Sequence, residues 1–99
     1  MFSVRKTEIF DNWIRKLKDR TGRAIINARI LRLSHGNYGD TKYLGDGINE
    51  LRIDFGPGYR VYYTQVRQTI VILLCGGNKS TQSSDLKKAK NMAENLEVQ

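Results

Sequence analysis

Residues 48–77 read INELRIDFGPGYRVYYTQVRQTIVILLCGG, and the alternation along this stretch decides the fold class. Leu51, Ile53 and Phe55 fall on one side of an extended chain and Glu50, Arg52 and Asp54 on the other, the period-two pattern of a strand with one wet face. Gly56-Pro57-Gly58 then reverses the chain. Tyr59 to Val66 is the return strand, with Tyr59, Val61 and Tyr63 on one face and Arg60, Tyr62 and Thr64 on the other. Arg67-Gln68 makes a second tight turn. Thr69 to Cys75 is β-branched and apolar throughout, as in a central strand covered on both faces, and Gly76-Gly77 ends it.

Upstream of this meander the period changes. In Glu8 to Arg20 the apolar residues Phe10, Trp13, Ile14 and Leu17 form one helical stripe, with Arg15, Lys16, Lys18 and Arg20 elsewhere. Thr7 offers a side-chain oxygen to cap that helix, and Phe2 to Lys6 before it is a short strand. Thr21-Gly22 breaks the pattern, and a second stripe follows at Ile26, Ile30 and Leu33, with Arg23 and Arg29 at its borders. Ile25, Ala28 and Leu31 lie off this stripe, so the second helix is expected to be buried on more than one side, against the sheet and another element or a partner. Gly36 suits a helix C-terminal cap, and GNYGDTKYLGDG, residues 36–47, is expected to be a loop of about a dozen residues rather than helix or regular strand. Beyond Gly77 a polar loop leads to a last helix, capped by Ser83 or Ser84, whose stripe is Leu86, Ala89, Ala93 and Leu96. The expected architecture is a single α+β domain over residues 1–99. An antiparallel sheet packs against two N-terminal helices, and a C-terminal helix completes it.

Composition narrows the function. The 99 residues carry 17 Lys and Arg against 10 Asp and Glu, a net charge of +7. A chain of this size buries one modest core and excludes a deep cavity for a large cofactor, so any chemistry is expected on an open surface. Cys75 and His35 are each the only residue of their kind, which excludes an internal disulfide and a Cys/His metal cluster; no metal and no cofactor are expected. The start MFSVRKTEIF has no apolar run of signal-peptide length, and the longest apolar stretch, Ile70 to Cys75, is too short to span a bilayer, so a cytoplasmic protein is expected. Nine of the basic residues lie in positions 1–36 against three acidic ones. Arg15, Lys16, Lys18 and Arg23 on the two helices are therefore candidates for contact with a polyanion such as RNA or the ribosome.

Strand parity supplies the sharper candidates. Arg52 and, on its hairpin partner, Arg60 with Tyr62 share one face, and Lys79 follows the Gly-Gly pair at its edge. Such a cluster can hold a phosphodiester and stabilise the extra negative charge of its transition state, with Tyr62 as a stacking ring. The blander alternative is that Arg52 pairs with an acidic side chain across the sheet and Tyr62 merely covers it. Neither a His nor a Glu stands out as a base, which leaves Lys79 or a strand Tyr for proton transfer. The glycines of residues 36–47 lack the Gly-Lys-Ser/Thr ending of a phosphate loop.

FDNWIRKL (10–17), GNYGD (36–40), ELRIDFGPGYRVYY (50–63) and GGNKSTQ (76–82), followed by Asp85 and Ala89, resemble the phage-derived addiction-module killer proteins of the RelE/ParE toxin superfamily, which include HigB-like members. The resemblance covers nearly the whole chain and is most specific in GPGYRVYY and GGNKSTQ. It implies the toxin of a type II toxin-antitoxin pair, a small basic domain held inactive by a cognate antitoxin. In the RelE and HigB-like branch the activity is metal-independent cleavage of mRNA in the ribosomal A site. By position it assigns Arg52, Arg60 and Lys79 to the scissile phosphate; Tyr62, from strand parity, joins them as a catalytic candidate, and Gln82 joins the basic helical residues as a candidate for RNA or ribosome contact. A departure is that the C-terminal aromatic acting in proton transfer in RelE falls here at Leu86, leaving Tyr62, Tyr63 or Lys79 as substitutes. The ParE branch shares the fold but inhibits DNA gyrase by binding, and is the alternative reading; a non-toxic binding protein is a third. The antitoxin is expected to be acidic where it covers the basic helices or the Arg52/Arg60 face.

Overall fold

The computed structural model of the protein describes residues 1–96. Among them, five strands form one sheet and three α-helices flank it. The elements are β1 (Ser3–Lys6), α1 (Glu8–Lys16), α2 (Arg20–Ser34), β2 (Thr41–Tyr43), β3 (Asn49–Ile53), β4 (Tyr59–Val66), β5 (Ile70–Asn78) and α3 (Gln82–Glu94), with a 3₁₀ turn (Lys79–Thr81) before α3. The strand order is β1-β5-β4-β3-β2. The meander β3 to β5 is antiparallel, as expected, β2 adds to it antiparallel beside β3, and β1 joins the edge of β5 in parallel. The α+β architecture read from the sequence is thus present, with a mixed sheet in place of a purely antiparallel one. Among the described residues no helix is long and apolar enough to cross a membrane.

The helical boundaries correct the reading at one point. Thr7 does cap α1, accepting from the Phe10 amide at 3.1 Å while its hydroxyl donates to the Leu74 carbonyl at 2.6 Å, which ties the helix to the sheet. The helix then stops at Lys16, not Arg20, because Leu17 turns extended and folds onto the core. Thr21-Gly22 lies inside the first turn of α2, whose N-cap is Asp19, accepting from Gly22 N at 2.9 Å. Gly22 is there for space: a Cβ would sit 2.6 Å from both the Asp19 carboxylate and the Tyr59 ring. That gap lets the Tyr59 hydroxyl donate to Asp19 at 2.8 Å.

The Gly22 amide, and then the Tyr59 hydroxyl, hold the Asp19 carboxyl below its ordinary range. A carboxylate with a lowered folded-state pKa stabilises the fold at pH above the ordinary carboxylate range, and that contribution disappears as pH falls through the lowered value. Asp19→Asn is therefore expected to flatten the acid limb of a thermal-stability profile, and an unchanged acid limb would refute this role.

The sheet divides two apolar layers. On one face Phe10, Ile14, Ile26, Ile30 and Leu33 pack against Leu51, Ile53, Tyr59, Val61, Tyr63, Val71 and Leu73. On the other, Ile48, Tyr62, Leu74 and Cys75 lie under Ala89 of α3, with Leu86, Ala93 and Leu96 half-buried around it. The apolar residues expected as helical stripes all pack on the sheet, although Leu17 and Leu96 lie just past the ends of α1 and α3, and β5 is covered on both faces. It continues through Gly76-Gly77 to Asn78 rather than ending at the glycines. A bulge between β4 and β5 pairs Tyr62 with Cys75 and Tyr63 with Leu73, so Leu74 is the extra residue. It resets the alternation, giving Leu73 to the α1/α2 layer and both Leu74 and Cys75 to the α3 layer.

Three other expectations change. Thr41-Lys42-Tyr43, inside the expected loop, pairs with β3 as the edge strand β2. The expected burial of α2 on several sides holds for Ile25, which packs on the core, but Ala28 and Leu31 are exposed. Neither Ser83 nor Ser84 caps α3; Asn78 caps the preceding 3₁₀ turn through Ser80 N at 2.9 Å, and α3 continues from it.

Candidate functional site

Two rows of side chains cross the sheet on its α3 face. In the first, Arg52 of β3 is the register partner of Arg60 of β4, which is the partner of Gly77 of β5. In the second, Lys42 of β2 pairs with Glu50, Glu50 with Tyr62, and Tyr62 with Cys75. The shared face inferred for Arg52, Arg60 and Tyr62 is therefore the one observed. Two guanidiniums directly opposite repel each other, and neighbouring acids offset this: Arg52 contacts Asp40 Oδ1 through Nε (3.1 Å) and a terminal nitrogen (2.9 Å), and Arg60 Nε lies 3.9 Å from Glu50 Oε2. The expected alternative, an acidic partner for Arg52, is thus present, although it comes from the loop before β2 and not from a facing strand.

Arg60 is only 8% exposed, and its Nε finds no hydrogen-bond partner among the described residues. The acceptor nearest this N–H is the buried Glu50 carboxylate, 3.9 Å away, so Arg60 and Glu50 form a buried ion pair without a close hydrogen bond at Nε. An open cleft of ≈ 320 Å³ runs past it, with Arg52, Arg60, Lys79, Asp40 and Asp54 among its walls. Lys79 stands exposed on the 3₁₀ turn at the rim, its stem against Gly58, where a Cβ would come within 3.3 Å of the Lys79 Cβ. The structure thus brings Arg52, Arg60 and Lys79 to one cleft. Gly77, the register partner of Arg60, leaves room for the Asp85 carboxylate, which a Cβ there would overlap and which accepts from the Thr81 hydroxyl.

Tyr62 is placed differently from the expectation. It is fully buried beneath α3, so it is no stacking ring, and the face read as wet is covered from Thr64 back to Arg60. Its hydroxyl donates to Glu50 Oε2 at 3.1 Å. Burial, reinforced by the Glu50 charge, pushes its pKa well above the ordinary tyrosine value, so it remains a proton donor to Glu50 and cannot serve as a base. Tyr63 faces the α1/α2 layer and shares a 3.1 Å hydrogen bond with Thr41, which removes it from the cleft. Burial likewise pushes the Cys75 thiol up to about 11, an inert core group.

Glu50 is the residue that sequence reasoning missed. Its Oε2 also accepts from Gln82 Nε2 at 3.1 Å, so a strand, its neighbour and the first residue of α3 converge on one carboxylate. A second depression of ≈ 270 Å³, lined by Glu50, Gln82, Leu86, Lys42 and Arg52, adjoins the first, and Arg52 is the wall they share. The signal was available: β3 alternation puts Glu50 on the Arg52 face. Its partners, 12 and 32 residues away, were not. Gln82, expected at an RNA surface, instead holds Glu50 from the edge of this depression.

The basic helical residues form a separate surface. Arg15 pairs with Asp11 at 3.1 Å, Arg23 reaches the Leu17 carbonyl at 3.4 Å, and Lys16 and Lys18 are exposed. All four belong to the layer across the sheet from Arg60, so the structure does not bring them to the cleft.

Residues 12–97 match the family described as phage-derived protein Gp49-like (DUF891). The chain belongs to this family. A Haemophilus influenzae protein described as uncharacterized is 55% identical over 93 residues, covering 94% of each chain. In this Gp49-like domain the cleft offers fixed positive charge from two strands, an exposed ammonium at its rim and a buried carboxylate held by two donors beside it. That set can bind a phosphodiester and move a proton next to it.

Proposed function

We propose that this Gp49-like protein is the toxin of a type II toxin-antitoxin module and that it cleaves mRNA on the ribosome. The observation that carries the reading is the Arg52–Arg60 register pair, which lines one cleft and is flanked by Glu50 on one side and Lys79 on the other. The scissile phosphate sits against both guanidiniums, which take up the extra charge as the phosphorus becomes five-coordinate. Glu50 accepts the proton of the 2′-hydroxyl, whose oxygen forms the new bond to phosphorus. The bond from phosphorus to the 5′-oxygen breaks, and that oxygen takes a proton from the Lys79 ammonium. The products are a 2′,3′-cyclic phosphate and a free 5′-hydroxyl, and no redox partner is consumed.

The site is open and shallow, and a flexible strand of RNA is poorly aligned in it; the ribosome supplies that alignment, which is where proximity contributes most of the rate. The second basic surface, Arg15, Lys16, Lys18 and Arg23, suits a contact with ribosomal RNA while the cleft holds message. The resemblance to the RelE/ParE superfamily supports the toxin setting, with a cognate antitoxin as the controlling partner and the cytoplasm as the place of action.

Primer-extension mapping of message ends in a purified translation reaction, with and without ribosomes, tests this. Codon-phased cuts on translated message alone are the expected result. Intact message accompanied by growth arrest in cells would overturn the nuclease reading in favour of the ParE-like alternative, gyrase inhibition by protein binding. Cutting of naked RNA at equal rate would remove the ribosome from the proposal.

A further inference from the structure

The two guanidiniums of the cleft are in different states. Arg60 Nε makes no hydrogen bond and faces the buried Glu50 carboxylate at 3.9 Å, whereas Arg52 presents Nε and a terminal nitrogen to a single oxygen, Asp40 Oδ1, at 3.1 and 2.9 Å. That Nε edge is the fork a phosphate grips with two oxygens. Asp40 is held there by its main chain: Arg52 N donates to the Asp40 carbonyl at 2.9 Å, and Arg29 donates to the Asp40 carbonyl at 3.3 Å and the Arg52 carbonyl at 2.8 Å. The carboxylate is thus presented to Arg52 by the fold and is not a chance surface neighbour.

We propose that Asp40 is an internal competitor of the substrate phosphate, occupying Arg52 in the free protein and giving it up only when RNA enters. The proposal rests on the phosphate-cleft reading above. It makes Arg60 the docking charge and Arg52 the second, switched one. Both partners of the pair are partly solvated, with side chains 36% and 55% exposed, so the carboxylate is displaceable at modest cost. Measured couplings of such pairs correspond to about a two- to five-fold change in affinity.

The test measures binding of a fluorescein-labelled, 2′-O-methylated oligoribonucleotide, which cannot be cleaved, by polarisation at low salt. Asp40→Asn is compared with Asp54→Asn, an exposed acid of the same cleft whose change adds the same unit of charge. Asp40→Asn is expected to bind about two- to five-fold more tightly than Asp54→Asn. The advantage is expected to vanish when both substitutions are compared in an Arg52→Ala background. If Asp40→Asn equals Asp54→Asn, or binds more weakly than the wild type, while Arg52→Ala alone weakens binding, the competition is overturned and the phosphate cleft survives. An Arg52→Ala protein that binds as tightly as the wild type overturns both.

Discussion

Arg60→Met is expected to slow message cleavage by a factor on the order of 10²–10³, the loss that follows removal of one well-placed donor to a developing oxyanion. The effect is large because Arg60 is 8% exposed where it lines the cleft, so its charge acts on a bound phosphate through little solvent. Met retains the stem that packs in the sheet and removes the charge. Glu50 keeps its bonds from Tyr62 and Gln82 but loses the countercharge of a buried pair, so the variant is also expected to melt at a lower temperature. Arg60→Lys, which restores the charge without the planar fork, is expected to recover part of the rate. Full-rate cleavage by a folded Arg60→Met protein, its melting checked by calorimetry, would exclude Arg60 from phosphate stabilisation.

Glu50→Gln is expected to lower cleavage by about 10²–10⁴ while RNA affinity is kept or rises, since a general base is lost and a negative charge leaves the cleft. The amide oxygen can still accept from the Tyr62 hydroxyl and from Gln82, so the local structure is preserved and the loss falls on the chemical step. This substitution also separates the two toxin readings, because an inhibitor that acts by binding has no use for the proton chemistry of Glu50. Cleavage at the wild-type rate would reduce Glu50 to a structural acceptor for Tyr62.

The strand parity of residues 50–62 was enough to put Glu50, Arg52, Arg60 and Tyr62 on one face, because side-chain direction in a strand is local information, while the direct pairing of Arg52 with Arg60 is a matter of register. What covers that face is not local. Alternation marks Arg60, Tyr62 and Thr64 as polar-side residues, but whether the polar side meets water or a helix depends on how α3 docks, about 20 residues later, so Tyr62 read as a surface ring although it is core. The Leu74 bulge was invisible for the same reason: an all-apolar run has no period to interrupt. β2 escaped because three residues between glycines carry no usable alternation. The break between α1 and α2 was misplaced because Asp19 acts as a cap through its partners, Gly22 and Tyr59, of which only the first is a neighbour in the chain. Basic charge on the helices was correctly counted, and its separation from the cleft by the thickness of the sheet is a property of topology alone.

The α3 layer is the thinner of the two, with Ala89 as its only fully buried helical residue among those described, whereas α1 and α2 bury Phe10, Ile14, Ile26, Ile30 and Leu33. Segments with less buried apolar surface open at lower free energy than the domain as a whole. When α3 detaches, Gln82 leaves Glu50, the roof over Tyr62 is gone, and the depression beside the cleft loses the wall that carries Leu86. On warming, then, the proposed cleavage is expected to fade before the sheet melts, and amides in α3 are expected to exchange with solvent while those of β4 and β5 are still protected.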